Sequence, residues 1–149
     1  MKKLLLLLTT TLLLTACGMI QQDDDAARQT AREWAEAYFN CDYHKAAEYS
    51  TPESEMYLRF AASNTTEEDL QVLQEGGGAT VEVSDYFPVA NDTLRVVELS
   101  VSNCLEPVAV GEAPQLADQA QFQVTLVLRD KKWKVRMEGL PRSGRQSRD

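Results

Sequence analysis

The chain has 149 residues, with 23 Asp and Glu against 15 Lys and Arg, a formal charge of −8 and one histidine. Its length suits one domain with a real core. Its acidic balance disfavours nucleic acid as a partner, and one histidine with three cysteines offers no metal-ligand spacing.

The chain begins with Lys2 and Lys3, followed by an apolar run from Leu4 to Leu14 interrupted only by Thr9, Thr10 and Thr11. That run suits the core of a signal peptide and falls short of the roughly 20 residues a membrane span needs. It ends Leu14-Thr15-Ala16-Cys17-Gly18, which resembles a bacterial lipobox. The resemblance implies cleavage before Cys17 and acylation of its sulfur, and therefore a lipid bilayer as a partner through Cys17. More than one acyl chain is needed for a stable anchor. Gly18 stands where inner-membrane retention signals carry aspartate, so the expected address is the outer membrane, facing either the periplasm or the cell surface. Asp23-Asp24-Asp25 resembles the export signal of surface lipoproteins in the Bacteroidota. The same residues also favour the positive end of a following helix. The expected parts are a signal peptide over 1–16, an acidic tether over 17–25, a domain over 26–141 and a flexible basic tail over 142–149.

Spacings of three and four predict a helix over 26–40, with Ala27, Ala31, Trp34, Ala35, Tyr38 and Phe39 on its apolar side. Asn40-Cys41-Asp42 breaks it. Asp42 then caps a short helix over 43–49 that buries Tyr43, Ala46 and Ala47. His44 there reads as an exposed residue. Thr51 and Pro52 start a third helix, with Tyr57, Leu58 and Ala61 inward. A capping box, Thr65 with Glu68 or Thr66 with Asp69, starts a fourth carrying Leu70 and Leu73. Gly76-Gly77-Gly78 lacks the downstream lysine and the strand-to-helix setting of a phosphate loop.

The period then shortens to two. Strands are predicted over 80–87 and 93–101, with the Val96-Val97 pair marking a bulge. A long connection follows over 106–119. Phe122, Val124, Leu126 and Leu128 then share one face of a strand over 120–128. Arg129 to Lys132 turns the chain, and Trp133, Val135 and Met137 return on the same face. Helices first and antiparallel strands after give an α+β fold with about four strands and one shared core. No internal repeat appears.

The stretch Asn40-Cys41-Asp42-Tyr43-His44-Lys45-Ala46-Ala47-Glu48-Tyr49 resembles the segment after the first helix in small bacterial lipoproteins of the DUF4878 and lumazine-binding-like group, relatives of the NTF2-like fold. Trp133-Lys134-Val135 resembles the closing strand of that group. The resemblance implies helices wrapped on a curved antiparallel sheet, an NTF2-like cone with room for a cavity. Cys41 in the helix break and the segment over 106–119 depart from the pattern.

With Cys17 acylated, Cys41 and Cys104 remain. A disulfide between them would close a loop of about 60 residues, worth roughly 4 kcal/mol in the chain-entropy model; two buried thiols are the other reading. Should the cone be incompletely filled, Trp34, Tyr38, Tyr57, Phe60 and Phe122 would line an apolar pocket. Asp85 shares parity with Val81, Val83 and Phe87. As a cavity acid it could act as a base beside Tyr86 or Tyr57, as in ketosteroid-isomerase-like relatives. The serines lack a readable triad. Asp92-Thr93-Leu94 resembles an O-glycan acceptor at Thr93. No cofactor is called for. The leading expectation is a noncatalytic envelope lipoprotein that binds a protein partner or a small apolar ligand. The alternatives are an enzyme using Asp85 and a purely structural domain.

Overall fold

Eighteen residues of unbroken 3.6-residue periodicity start the fold: the chain is helical from residue 22 to residue 39 (α1), and Ala27, Ala31, Trp34 and Ala35 on its inner side are fully buried. The computed structural model describes residues 22–89 and 91–144. Cys17, the expected signal peptide, the first part of the expected tether and the end of the expected tail lie outside the described residues. α1 ends where Cys41 takes a left-handed φ of 62°. Asn40 fastens that end to the sheet: its amide donates to the Ala79 carbonyl at 3.0 Å and its oxygen accepts from Ala79 N at 2.9 Å.

α2 (Tyr43–Glu48) is capped by Asp42, which accepts from Lys45 N at 3.0 Å. It buries Ala46, while Ala47 is exposed, against expectation. Thr51 does not cap the next helix in the usual way. Its hydroxyl meets Ser54 Oγ at 2.9 Å, and a 3-10 turn (Pro52–Ser54) precedes α3 (Glu55–Asn64). α4 (Glu67–Glu75) starts with the Thr66–Asp69 capping box: Asp69 N donates to Thr66 Oγ1 and Thr66 N to Asp69 Oδ2. Leu73 is buried on α4, but Leu70 is exposed.

Four antiparallel strands follow as a meander: β1 (Thr80–Pro88), β2 (Leu94–Leu105), β3 (Leu116–Arg129) and β4 (Lys132–Arg136), in the order β1-β2-β3-β4. β2 and β3 outrun their predicted lengths because Ser102 to Leu105 pairs with Leu116 to Gln119. The long connection therefore shrinks to residues 106–115. The β3–β4 turn places Asp130 and Lys131 at φ of 50° and 63°, the two left-handed residues that a tight hairpin matching strand twist requires.

Inward residues stack across the strands in rows: Val83, Leu99 and Phe122 in one, and Arg95, Leu126 and Val135 in another. One face of the sheet is covered by helices; the opposite face carries Glu82, Glu98, Gln121 and Gln123, with Val96 and Val127 toward the β1–β2 turn. β4 is an edge strand, and the chain after α2 closes it. Val135 N donates to Tyr49 O at 2.8 Å, and Thr51 N to Val135 O at 2.9 Å. Such a clasp removes the unpaired ladder that invites association.

The Val96-Val97 bulge is not there. Arg95, Val97, Leu99 and Val101 run in unbroken inward alternation. The irregularity lies in β1, between Val83 and Asp85. An extra residue in one strand reverses the alternation beyond it. Tyr86, not Asp85, consequently pairs with the buried Val97 and turns inward.

Candidate functional site

The C-terminal end of α1 and the β2–β3 end of the sheet enclose a cleft of about 570 Å³. Its walls come from three places. α1 and the break after it supply Tyr38, Phe39, Cys41 and Tyr43. The sheet supplies Cys104, Ala117, Ala120 and Phe122. The chain after β4, from Leu140 to Ser143, crosses its rim. Periodicity placed Tyr38 and Phe39 there. The positive φ of Asn103, 56°, precedes Cys104, which is buried in the wall.

The aromatic side chains are fixed by one another. Tyr38 stacks on Trp34 with centroids 4.9 Å apart and planes 15° apart, and meets Phe39 and Tyr43 edge-on at 5.2 and 5.5 Å. Phe39 meets Phe122 at 4.5 Å. Of the five residues expected to line a pocket, the structure brings Tyr38 and Phe122 to this one. Trp34 is fully buried behind Tyr38. Tyr57 is half-buried on α3, and Phe60 faces water at 57 % exposure. Leu105, Pro107 and Leu140 to Pro141 were missed because they lie past the predicted strand ends.

The phenols and thiols of the wall are held neutral, while Glu106 and Arg142 also line the cleft. Thr65 Oγ1 donates its one proton to Ala61 O at 2.9 Å, so the Tyr43 hydroxyl, 2.9 Å from Thr65 Oγ1, is the donor of that pair. Burial pushes Tyr38 up to about 12, helped by the neighbouring Cys41, and pushes Tyr43 up as well. Burial likewise raises both thiols. Cys41 and Cys104 are free thiols rather than a bridge, and both face this cleft. The cleft thus offers ring faces, phenols and protonated thiols, with Glu106, Gln119 and Arg142 also among its lining residues, a site suited to a mainly apolar molecule that carries a few hydrogen-bonding groups.

A phenol that ionises near 10 when unfolded and near 12 when folded contributes fully below pH 10 and loses that contribution as pH rises toward 12. The unfolding free energy from urea titrations should therefore fall above pH 10, by up to about 1.4 kcal/mol per pH unit from Tyr38. Tyr38→Phe should flatten this slope. An identical slope in the variant would remove Tyr38 as its source.

Asp85 is exposed. It lies beyond the β1 bulge on the rim of a shallow polar groove with Arg28, Arg32 and Tyr86, and its carboxylate accepts from Tyr86 N at 2.7 Å. It is not the cavity acid that strict alternation predicts. Thr93 is exposed at the β1–β2 turn, where its amide and hydroxyl both donate to Asn91 Oδ1, at 2.9 and 2.7 Å. Among the described residues no group of three or more His, Cys, Asp or Glu is placed to hold a metal.

The other end of α1 is a polar clamp. Asp23 and Asp24, which fall within the span expected as an acidic tether, are helical residues pinned to the sheet. Trp133 Nε1 donates to Asp23 Oδ1 at 2.9 Å. Tyr86 donates its hydroxyl to Asp24 Oδ1, and Arg95 Nε donates to the same oxygen at 3.1 Å. Arg95 lies over the Trp133 ring at 5.0 Å, and Arg28 over the Tyr86 ring at 4.8 Å. Burial, then the bond to Asp24, pushes Tyr86 up to about 12.

No protein-family model matches the chain, and no curated protein matches it in sequence. Solved structures do match in fold. An NTF2-like protein of unknown function from Shewanella oneidensis aligns with 80 % of this chain and 96 % of its own, at 11 % identity and a TM-score of 0.52. An uncharacterized cystatin-fold protein from Novosphingobium aromaticivorans aligns with 74 % of this chain and 96 % of its own, at 14 % identity and a TM-score of 0.44. The chain's architecture is thus broadly NTF2-like, with helices packed on a four-stranded antiparallel sheet.

Proposed function

We propose that this chain is an envelope lipoprotein, anchored in the outer membrane through acylated Cys17, whose domain binds a small apolar ligand. The observation that carries the binding reading is the aromatic cleft of about 570 Å³ at the end of α1. Tyr38, Phe39 and Phe122 give it apolar faces, and the phenol of Tyr38 stays protonated at neutral pH. The proposed cone is of the lumazine-binding-like kind that the Asn40–Tyr49 and Trp133–Val135 motifs resemble. The anchor rests on the Leu14–Gly18 motif. Among the described residues no helix is long and apolar enough to cross a membrane.

Anilinonaphthalene sulfonate, which brightens on leaving water, is the probe for the cleft. The folded domain should bind it saturably with a micromolar constant. Ala120→Trp, which fills the cleft from β3, should weaken binding at least tenfold while the thermal transition persists; if that variant unfolds, Ala117→Leu takes its place. No saturable binding, or equal binding by a folded filled variant, would reject the ligand reading.

A further inference from the structure

We infer that the end of the sheet bearing the β1–β2 and β3–β4 turns rests on the bilayer surface, and that the aromatic cleft opens away from it. The inference rests on the Cys17 anchor proposed above, and it adds an orientation which the anchor alone does not require.

The first step is reach. Gly18 to Gln21 are the four residues between Cys17 and residue 22, where the described helix is already under way. Whatever their conformation, the chain from Cys17 to residue 22 spans at most about 18 Å. The start of α1 therefore stays within that distance of the lipid attachment.

The second step is the clamp. A helix joined to a sheet only through its middle could swing its first turn. Here Asp23 holds Trp133 at the start of β4, and Asp24 holds Tyr86 near the end of β1 and Arg95 near the start of β2. All three partners lie at one end of the meander, the end with the two tight turns. A short chain pinned there brings that end to the membrane.

The third step is what that end presents. Phe87 and Val89 are exposed apolar residues at the β1–β2 turn, 42 % and 37 % accessible. Lys131 and Lys132 are exposed at the β3–β4 turn with Asp130, and Asp92 is exposed at the β1–β2 turn. Apolar side chains at the level of the headgroups, with lysine ammonium groups beside them, fit a lipid surface. The cleft lies at the far end of α1, about 25 Å along the helix axis. Cys104, Pro107 and the exposed Val110 mark that end. A ligand or a partner would thus approach from the aqueous side.

The experiment uses full-length lipidated protein in vesicles of phosphatidylethanolamine and phosphatidylglycerol that carry nitroxide-labelled headgroups. A fluorophore is placed through Asp92→Cys or Val110→Cys, in a Cys41→Ser, Cys104→Ala background with an unchanged thermal transition. Flotation with the vesicles is measured first. The label at 92 should be quenched at least threefold more than the label at 110. Flotation with equal quenching, or with stronger quenching at 110, overturns the orientation and leaves the anchor standing. Failure to float overturns both. If the thiol-free background does not fold, hydrogen exchange of the unsubstituted lipidated protein decides the matter. Vesicles should then slow exchange over 86–95 and 129–133 and leave 104–115 unchanged; the reverse pattern overturns the inference.

Discussion

Trp34→Ala should destabilise the domain by about 3–5 kcal/mol, the usual cost of truncating a large aromatic in a packed core. Trp34 is fully buried and stacks on Tyr38, and its Nε1 donates to Ser50 Oγ at 3.0 Å. Ser50 Oγ in turn donates to Ala46 O at 2.8 Å, so the indole ties α1 to α2 as well as filling space. Small domains hold only about 5–15 kcal/mol in all, so the midpoint of thermal unfolding should fall by roughly 10–20 °C. Trp34→Phe keeps most of the volume and loses the hydrogen bond. It should cost about 1–2 kcal/mol beyond the lost ring area. The effect extends to function because Tyr38, the cleft wall, leans on the indole. At a temperature where Trp34→Ala is still folded by circular dichroism, probe affinity should fall several-fold. A loss of stability under 1 kcal/mol would contradict the packing described for α1.

Local signals carried the parts that were legible before the structure. The 3.6-residue stripe of α1, the Asp42 cap and the Thr66–Asp69 box each depend on residues within one or two turns of each other. The β3–β4 hairpin likewise needs only alternation on both sides of Asp130-Lys131. What failed depends on pairing at a distance. Nothing in Val83-Ser84-Asp85 announces a bulge, which exists because β1 is held in register by β2. Strict alternation points Asp85 inward, whereas the bulge turns Tyr86 inward instead. Arg95 was legible by half: it shares the inward parity of Val97, Leu99 and Val101. A guanidinium on the core side requires an anion, and that requirement was the available signal. Asp24, 71 residues away, could not be picked out from sequence. The cleft was half-legible on the same grounds. Tyr38 and Phe122 follow from periodicity, whereas Cys104 and Pro141 enter it through strand ends and a crossing segment without a local signature.

Removing the carboxylate in Asp24→Asn should cost about 2–3 kcal/mol, less than for a fully buried pair because Asp24 keeps some contact with water. The Arg95 side chain is only 10 % exposed and that of Asp24 28 %. Without the anion, Arg95 retains the carbonyls of Asn91 and Leu94 at 3.1 and 2.8 Å, which satisfy protons but leave the charge unbalanced. The pH dependence has a fixed sign. Burial alone would raise Asp24, but the hydrogen bonds from Tyr86 and Arg95 outweigh it and hold the carboxyl below its ordinary value. Its contribution is therefore complete above the unfolded aspartate range, about pH 4, and is lost as pH falls through the lower folded value. Urea midpoints of the unsubstituted domain should drop below pH 4, and Asp24→Asn should be flatter there. In a double-mutant cycle, Asp24→Asn with Arg95→Met should cost less than the two single losses added together, since the second change removes the charge stranded by the first. Strict additivity would mean that the two groups do not act on each other. The same variants bear on orientation. With the proposed anchor at Cys17, a frayed first turn of α1 would lengthen the chain between lipid and sheet, so Asp24→Asn in vesicles should weaken headgroup quenching at position 92 before it alters binding in the cleft.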